Sequence, residues 1–302
     1  EPQPYMIGFL NRFVNTNSAK HKSNLNIKKI KKDKKVEKIF SAIFEFSKKS
    51  EARYVGGCIR KILNSEEVDD IDIATNLNPK EVIDVFKKNN INYFATGINH
   101  GTITANIEKK NFEITSLRKD ICTDGRHAKV EFSEDWYEDA KRRDFTFNSI
   151  YADLDGNLYD PFNGKKDLKN GVVKFIGDPK KRIKEDYLRI LRYVRFFINY
   201  SKSKHLESVK KIIKKNIPGI AKISSDRLLL ELRKILNSDH FLKIFSDKFC
   251  LEIIELVFPQ LKNIKLLNRL NDYSKANFKS QDFIFLISLM IIDGSDNCEY
   301  FL

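Results

Sequence analysis

Two aspartates separated by one residue, Asp70 and Asp72, are the acidic pair in this sequence with the clearest chemical potential. Alternate side chains of a β-strand point to the same face, so a strand through this segment would present both carboxylates together. Magnesium prefers oxygen ligands and is usually held by one or two carboxylates plus substrate phosphates. The pair therefore predicts a metal site for a nucleoside triphosphate, with a solvated strand end as the structural alternative.

Residues that suit phosphate precede this pair at short range. Gly56 and Gly57 follow a short apolar strand, and glycines let a backbone approach a phosphate closely. Arg60 follows three residues later, and its guanidinium can fork onto phosphate oxygens. Glu113 lies on a later predicted strand, where it is a candidate third catalytic carboxylate. A tight turn with a surface arginine and a solvent-facing glutamate are the corresponding alternatives.

The segment 119–129 is polar and contains an Asp-Gly pair, which predicts a flexible loop. Asp120 and Arg126 belong to this loop and are candidates to close over a triphosphate. A dense cluster follows at Arg142, Arg143 and Asp144, with Asn148 four residues further on. We interpret this cluster as a holder of phosphate and ribose, with a helix-end salt bridge as the alternative.

A strongly helical segment, predicted over 180–200, carries Asp186 and Arg189 at a spacing of three. On one continuous helix these side chains share a face and can contact one ligand. Aspartate accepts from the exocyclic amino group of cytosine or adenine, and arginine donates to ring acceptors, whereas uracil and guanine present the reverse pattern. Arg192 and Arg195 continue the series. The alternative is a surface ion pair that contributes only a few tenths of a kcal/mol.

The elements that must position these residues change in character along the chain. Mixed α and β periodicity over 52–160 gives way to helical patterns after Pro161, including 225–236, 242–258 and 283–292. We therefore predict an α+β fold: a small mixed sheet with helices as the head, then an all-α neck and body. The expected divisions are a basic extension and helix at 1–50, the head at 51–162, the neck at 163–236 and the body at 237–302.

The composition favours a polyanionic partner. The 302 residues include 55 Lys and Arg against 41 Asp and Glu, a net charge of +14. A lysine-rich solvated surface is the alternative. The four cysteines are far apart and form no C-x-x-C pair, which argues against a structural zinc site or a disulfide framework and for a reducing compartment. The apolar run 283–292 is too short to span a bilayer and predicts a buried helix.

Several segments, in order, resemble the class II CCA tRNA nucleotidyltransferase and bacterial poly(A) polymerase family, within the polymerase-β-like nucleotidyltransferases. They are VGGCIR, DIDIAT, HGTITANI with FEITSLRKD, RRDFTFNSIYAD, LYDPFNGKKDLKNGVVKFIGDP and EDYLRILRYVRF. The sequences of these segments are most similar to those of alphaproteobacterial CCA-adding enzymes. The resemblance implies that Gly57 and Arg60 bind triphosphate and that Asp70 and Asp72 bind Mg²⁺. It also implies that Asp186 and Arg189 read the base, supported by Arg192 and Arg195.

The activity implied by this resemblance is addition of CMP, CMP and AMP to the 3′ end of tRNA from CTP and ATP, without a nucleic-acid template and with two Mg²⁺ ions. The alternatives are an A-adding enzyme or a poly(A) polymerase that uses ATP only, and a non-catalytic RNA-binding module. The implied location is a bacterial cytoplasm, with a mitochondrial matrix as second choice. We also expect a C-terminal tail shorter than in relatives.

Overall fold

The computed structural model describes residues 33–68, 70–123 and 128–291, and for 120–123, 128–130 and Lys279 it describes the backbone. The predicted basic extension therefore lies mostly outside the described residues. Contacts between Cα atoms divide the chain into two compact units, one up to Cys122 with Lys129–Lys169 and one comprising Thr123–Ala128 and the chain from Asn170 onward.

The first unit is built on a seven-stranded mixed sheet with the order β3-β4-β5-β2-β1-β8-β9, and a separate two-stranded sheet joins β6 to β7. The strands are β1 Ala52–Val55, β2 Asp72–Thr75, β3 Asn92–Phe94, β4 Thr102–Ile107, β5 Lys110–Ser116, β6 Arg118–Thr123, β7 Ala128–Phe132, β8 Tyr151–Ala152 and β9 Leu158–Tyr159. The predicted α+β head is confirmed.

The sheet register brings distant polar residues side by side. β4 and β5 form the predicted hairpin, and Glu108 and Lys109 close it with φ of 48° and 64°, the conformation that two-residue hairpin turns require. β2 then pairs with β5 in parallel, and Asp72 lies opposite Glu113. Residues opposite each other on neighbouring strands point to the same face, so the sheet places these two carboxylates together.

Five α-helices accompany the sheet in the described part of this region: α1 Lys34–Phe44, α2 Gly57–Leu63, α3 Pro79–Lys88, α4 Trp136–Lys141 and α5 Gly164–Asn170. Asn78 and Glu81 form a capping box at the start of α3, with Pro79 in its first turn, both of which stabilise a helix N-terminus. The prediction that α1 continues to about Ser50 is wrong, because the helix ends at Phe44 and Phe46 beyond it is exposed.

After Asn170 the described elements of the second unit are helices joined by loops, which confirms the predicted all-α region. Its α-helices are α6 Pro179–Glu185, α7 Arg189–Tyr200, α8 Glu207–Asn216, α9 Ser225–Leu236, α10 Lys248–Val257, α11 Asp272–Ala276 and α12 Phe283–Ile291. Short 3₁₀ turns separate them. α7 presents one apolar face to the core, where Ile190, Leu191 and Val194 are fully buried.

Three helix predictions in this unit are wrong. The segment 180–200 contains two helices, because Asp186 is extended, with φ of −153° and ψ of 105°. The segment 242–258 is a 3₁₀ turn at Phe241–Phe245 followed by α10. Helix α12 is not a buried helix, since Ile284 and Phe285 are 71% and 52% exposed. Within the described ranges, every helix is too short or too polar to cross a membrane.

Candidate nucleotide-binding site

The turn between β1 and α2 forms the floor of the site in the first unit. Gly56 has φ of +71°, a left-handed conformation that L side chains rarely adopt. A Cβ built on Gly56 would lie 3.7 Å from both Asp72 Oδ2 and Arg143 Nη1, and one on Gly57 would lie 3.8 Å from Arg60 Nη2. The turn therefore brings a carboxylate and two guanidinium groups against one short stretch of glycine backbone.

The acidic side of the site is formed by Asp72, Glu113 and Asp70. Burial raises the pKa of Asp72, and the negative charges of Glu113 and Asp70 raise it further, against the opposing effect of Arg143 and Arg60. The prediction that a strand carries both aspartates is wrong in detail, because β2 begins at Asp72 and the exposed Asp70 precedes it. Asp70 is nevertheless close enough to act on the Asp72 carboxylate.

A chain of buried hydrogen bonds orients Arg60. Its Nη1 donates to the Asn148 side-chain oxygen, and Asn148 Nδ2 donates to Asp144 Oδ1 at 2.8 Å. Asp144 is 6% exposed and also accepts from the backbone N–H of Phe145 at 2.8 Å. The sequence places Asp144 and Asn148 as phosphate and ribose ligands. In the structure they hold Arg60, and direct contact with a nucleotide stays a prediction.

Asp139 is the residue that sequence reasoning missed in this unit. It is 1% exposed, and its carboxylate accepts from Arg142 Nε at 2.9 Å, Arg143 Nη2 at 3.2 Å and the Tyr151 hydroxyl at 2.6 Å. Burial opposes its charge, but the two arginines and these hydrogen bonds lower the pKa of Asp139 to about 2. The spacings of three and four to the arginines were the signal available in the sequence.

The predicted flexible loop is largely a hairpin. Asp120 lies on β6, and residues 128–129 begin β7, so the loop prediction is wrong for these positions. Arg126 lies outside the described residues. A loop at Asp120 and Arg126 that closes over a triphosphate therefore stays a prediction.

In the second unit, Asp186 is held at the break between α6 and α7. Its Oδ2 accepts from Arg227 Nη2 at 2.8 Å, and its Oδ1 accepts from the backbone N–H of Leu188 at 3.1 Å. Because the break interrupts the helix, the predicted shared helix face of Asp186 and Arg189 is wrong. Arg227, on α9, is a second residue that sequence reasoning left without a role.

Arg189 is oriented by its own neighbours. Its Nη1 donates to Glu185 Oε2 and to the carbonyl of Arg182, both at 2.7 Å. Further along α7, Arg195 Nε donates to Glu231 Oε1 at 2.6 Å, and both Arg192 and Arg195 lie over the Phe196 ring. The four predicted residues of this segment thus lie near one another along the chain, with Glu185 as the acidic partner of Arg189 and Glu231 as that of Arg195.

The acidic residues of the first unit fit a divalent cation. Burial, together with the charges of Glu113 and Asp70, opposes ionisation of Asp72, and a bound cation would offset that cost. The oxygen chemistry of the three carboxylates suits Mg²⁺, completed by substrate phosphates. Among the described residues, three ligand groups already within 4.8 Å of one another occur elsewhere, at His205, Asp247 and Cys250.

Two family models match the chain. Residues 52–174 match the poly A polymerase head domain, which includes the floor, the acidic residues and the arginines described above. Residues 206–265 match a model described as a probable RNA and SrmB-binding site of polymerase A. The first match lies almost wholly in the first unit, and the second lies within the second unit.

Curated relatives carry consistent names. The human mitochondrial CCA tRNA nucleotidyltransferase 1 is 48% identical over 193 residues, covering 63% of this chain and 44% of the relative. The CCA-adding enzyme of Lactobacillus helveticus is 39% identical over 244 residues, covering 80% of this chain and 59% of the relative. The chain thus spans about half the length of these curated relatives.

Solved structures of proteins with related names share the fold. The Bacillus stearothermophilus CCA-adding enzyme, in complex with CTP, superposes with a TM-score of 0.61 at 29% identity, covering 72% of this chain and 50% of that one. A tRNA nucleotidyltransferase with a primer tRNA and an ATP analogue shares the fold, with a TM-score of 0.66 at 24% identity over 85% of this chain and 76% of that one. Residues 52–174 thus belong to the poly A polymerase head-domain family, and the chain is similar to CCA tRNA nucleotidyltransferases and CCA-adding enzymes over 63% and 80% of its length.

Proposed function

We propose that this protein is a CCA-adding tRNA nucleotidyltransferase. It adds CMP, CMP and AMP to the 3′ end of tRNA, with CTP and ATP as substrates and no nucleic-acid template. The 3′ hydroxyl of the tRNA attacks the α-phosphate of the bound nucleotide, and pyrophosphate leaves. The observation that carries this proposal is the convergence of Asp72, Arg60 and Arg143 on the backbone of Gly56 and Gly57.

The floor and its arginines suit a triphosphate. Arg60 and Arg143 are fixed by buried hydrogen bonds to Asn148 and Asp139, so little side-chain entropy is lost when they bind an anion. The glycine backbone between them admits phosphate oxygens at short range. These residues bind and orient the triphosphate, and Arg142 shares the Asp139 anchor.

Enzymes of this family generally use divalent metal ions, and we assign two Mg²⁺ ions to Asp70 and Asp72, with Glu113 in a supporting role. When bound, such ions lower the pKa of the attacking hydroxyl and neutralise the leaving pyrophosphate. Asp70 is exposed and Asp72 is half-buried, so one carboxylate faces solvent while the other is held against the floor. Glu113, opposite Asp72 in the sheet, keeps the negative charge concentrated there.

Base selection is assigned to the second unit. Asp186 accepts from the amino group of cytosine or adenine, and Arg189 donates to a ring acceptor of the same base. Arg227 and Glu185 hold these two side chains in fixed orientations. Arg192 and Arg195 support the segment from α7.

RNA binding is supported by charge as well as by the second matching family model. Exposed lysines of that segment include Lys211, Lys215 and Lys222, and positive side chains of this kind contact the phosphate backbone without reading sequence. We therefore assign the tRNA contact of this unit to residues within 206–265.

The second candidate function is ATP-only addition, as an A-adding enzyme or a poly(A) polymerase. The name of the matching head-domain family favours it, because that family includes poly(A) polymerases. Both activities use the same floor and the same acidic residues. They differ in whether CMP is incorporated.

Incubation with a tRNA that ends before CCA, and with each nucleotide in turn, tests the proposal. CCA addition predicts incorporation of CMP from CTP alone and of AMP only after CMP. ATP-only incorporation would replace the first proposal by the second. Incorporation of neither nucleotide, with tRNA binding retained, would support a non-catalytic RNA-binding module.

Asp70→Ala tests the metal assignment. It is expected to abolish nucleotide addition while tRNA binding, measured by filter retention, stays nearly intact. Asp84→Ala on α3 is the matched control, because Asp84 is an exposed aspartate of the same unit outside the site. Full turnover by Asp70→Ala would overturn the metal assignment.

For the compartment, we propose the cytoplasm of a bacterial cell, with the mitochondrial matrix as the second candidate. The mouse and human relatives, 47% and 48% identical, carry "mitochondrial" in their names, whereas other relatives are bacterial. Cell fractionation followed by immunoblotting decides between the two.

A further inference from the structure

Three metal-ligating side chains meet in the second unit, and none of them has been given a role in nucleotide binding above. His205 Nε2 lies 2.9 Å from Asp247 Oδ2 and 3.8 Å from Cys250 Sγ. All three ligand atoms lie within 4.8 Å of one another. Asp247 is the N-cap of α10 and Cys250 lies in its first turn, whereas His205 precedes α8 by two residues.

The surroundings hold the imidazole in one orientation. Its ring stacks on Phe197 with centroids 3.5 Å apart and meets the edge of Phe249 at 4.7 Å. The Tyr193 hydroxyl lies 2.9 Å from His205 Nδ1. Metal-binding histidines usually engage their second ring nitrogen in such a hydrogen bond, which fixes the ring and points the other nitrogen at the ion.

The spacing of the ligands is close to that of a zinc site. Zn–N bonds of about 2.0–2.1 Å and Zn–S bonds of about 2.3 Å, at a tetrahedral angle, place nitrogen and sulfur about 3.6 Å apart. The observed separation of His205 Nε2 and Cys250 Sγ is 3.8 Å. The same geometry places nitrogen and oxygen about 3.3 Å apart, so the Asp247 oxygen needs to move outward by about 0.4 Å, and its side chain is partly exposed.

The side chains of the cluster also suit a cation. Carboxylate, imidazole and thiol groups are ligands of divalent metal ions, and here the three share one site with Cys250 buried and the other two partly buried. A divalent cation beside both acidic groups would stabilise carboxylate and thiolate together.

We propose that His205, Asp247 and Cys250 bind one zinc ion, with a water molecule as fourth ligand. Mixed nitrogen, sulfur and oxygen ligands suit zinc, whereas Mg²⁺ prefers oxygen alone. The ion joins the segment before α8 to the start of α10 and so stabilises the second unit. The alternative is a metal-free cluster in which His205 donates to the capping aspartate. The proposal does not rest on the proposed function.

Zinc titration of the whole 302-residue chain against a chromophoric chelator tests this site. The titration uses the Asp72→Ala variant, which lacks the principal carboxylate of the first unit, so that zinc bound at the nucleotide site does not add to the measured stoichiometry. The expected result is about one equivalent of tightly bound zinc per chain. Co²⁺ in place of zinc is expected to give the charge-transfer absorption of a cobalt–thiolate bond.

Variants separate the site from general effects on folding. Cys250→Ser is expected to remove the cobalt–thiolate band, and Cys58→Ser, the same change at a buried cysteine of the first unit, is expected to keep it. Asp247→Asn retains a good helix cap but weakens the ligand, and Tyr193→Phe removes the hydrogen bond to His205. Each is expected to weaken zinc binding roughly 10- to 100-fold.

The outcomes are decisive in either direction. Stoichiometric binding with a cobalt–thiolate band that disappears only in Cys250→Ser supports the site. Absence of stoichiometric binding in the Asp72→Ala chain, or a band that survives in Cys250→Ser, overturns it and leaves the metal-free cluster. Nucleotide addition by the otherwise unmodified chain is measured separately, so failure of this proposal and of the proposed function are distinguishable.

Discussion

Replacement of Asp139 by asparagine is expected to destabilise the first unit and to reduce nucleotide addition. The change keeps the shape of the side chain but removes the negative charge that Arg142 and Arg143 share. Both guanidinium groups are then left mostly buried without their common counter-ion. Arg143 also loses the anchor that holds it beside Gly56.

The magnitude follows from the pKa of the buried carboxyl. A fall from 3.8 to about 2 in the folded protein corresponds to about 2.4 kcal/mol at about 1.36 kcal/mol per pKa unit. Breaking a buried ion pair by removal of one partner costs about 3–5 kcal/mol. We therefore expect a loss of about 2–5 kcal/mol in the free energy of unfolding of this unit.

The assay is urea unfolding followed by fluorescence of Trp136, the one tryptophan of the chain. It lies on α4 with Asp139 and meets Tyr151 edge-on at 5.3 Å, so its signal reports on the first unit. Asp135→Asn is the matched control: Asp135 caps the same helix and is exposed, and asparagine caps about as well. Its expected cost is below about 0.5 kcal/mol.

The pH dependence of the stability difference between wild type and Asp139→Asn provides a second test. Because the folded pKa of Asp139 is depressed, its contribution is fully present well above pH 3.8 and is lost as the pH falls towards about 2. The gap between wild type and Asp139→Asn is thus expected to stay constant from neutral pH to about pH 5 and to shrink below that. Equal stability of Asp139→Asn and Asp135→Asn at neutral pH would refute the reasoning. So would a difference between wild type and Asp139→Asn that widens in acid.

Three further predictions test individual contacts. Gly219→Ala places a Cβ 2.0 Å from the Tyr187 ring, and we expect a loss of about 1–3 kcal/mol in the free energy of unfolding; an unchanged free energy of unfolding in urea would refute the clash. Glu231→Gln breaks the buried pair with Arg195, and an expected cost of about 3–5 kcal/mol is measured by circular dichroism; an unchanged midpoint would contradict this. Arg227→Gln removes the ion pair with the partly exposed Asp186, so the free energy of unfolding should change by less than about 1 kcal/mol. Discrimination of CTP and ATP against UTP and GTP is expected to fall. Unchanged selectivity in the incorporation assay would show that Arg227 does not support base recognition.

The sequence by itself determined the chemistry of the site. Gly56, Gly57, Arg60 and the acidic pair are close in the chain, so short-range patterns suffice to identify them. The hairpin that carries Glu113 was also predictable, because alternating apolar residues and a two-residue turn are local signals. The same holds for the all-α character of the second unit, whose helices follow from apolar periodicity.

The tertiary structure decided which of these residues meet. Parallel pairing of β2 with β5 places Glu113 opposite Asp72, and no local pattern fixes the register of strands that are distant in sequence. The break at Asp186 was missed because its extended backbone is stabilised by Arg227, which is 41 residues away. The apolar periodicity of a segment carries no information on a contact with a residue so distant in sequence.

Cysteine spacing argued against a structural zinc site, and it carried no information on His205, Asp247 and Cys250. These ligands come from the segment before α8 and from the start of α10, and folding alone brings them within 4.8 Å. The role of Asp139 likewise depends on the tertiary structure, although its partners lie in or next to the same short helix. Its spacing to two arginines was visible in the sequence, but only burial makes its charge the anchor of both.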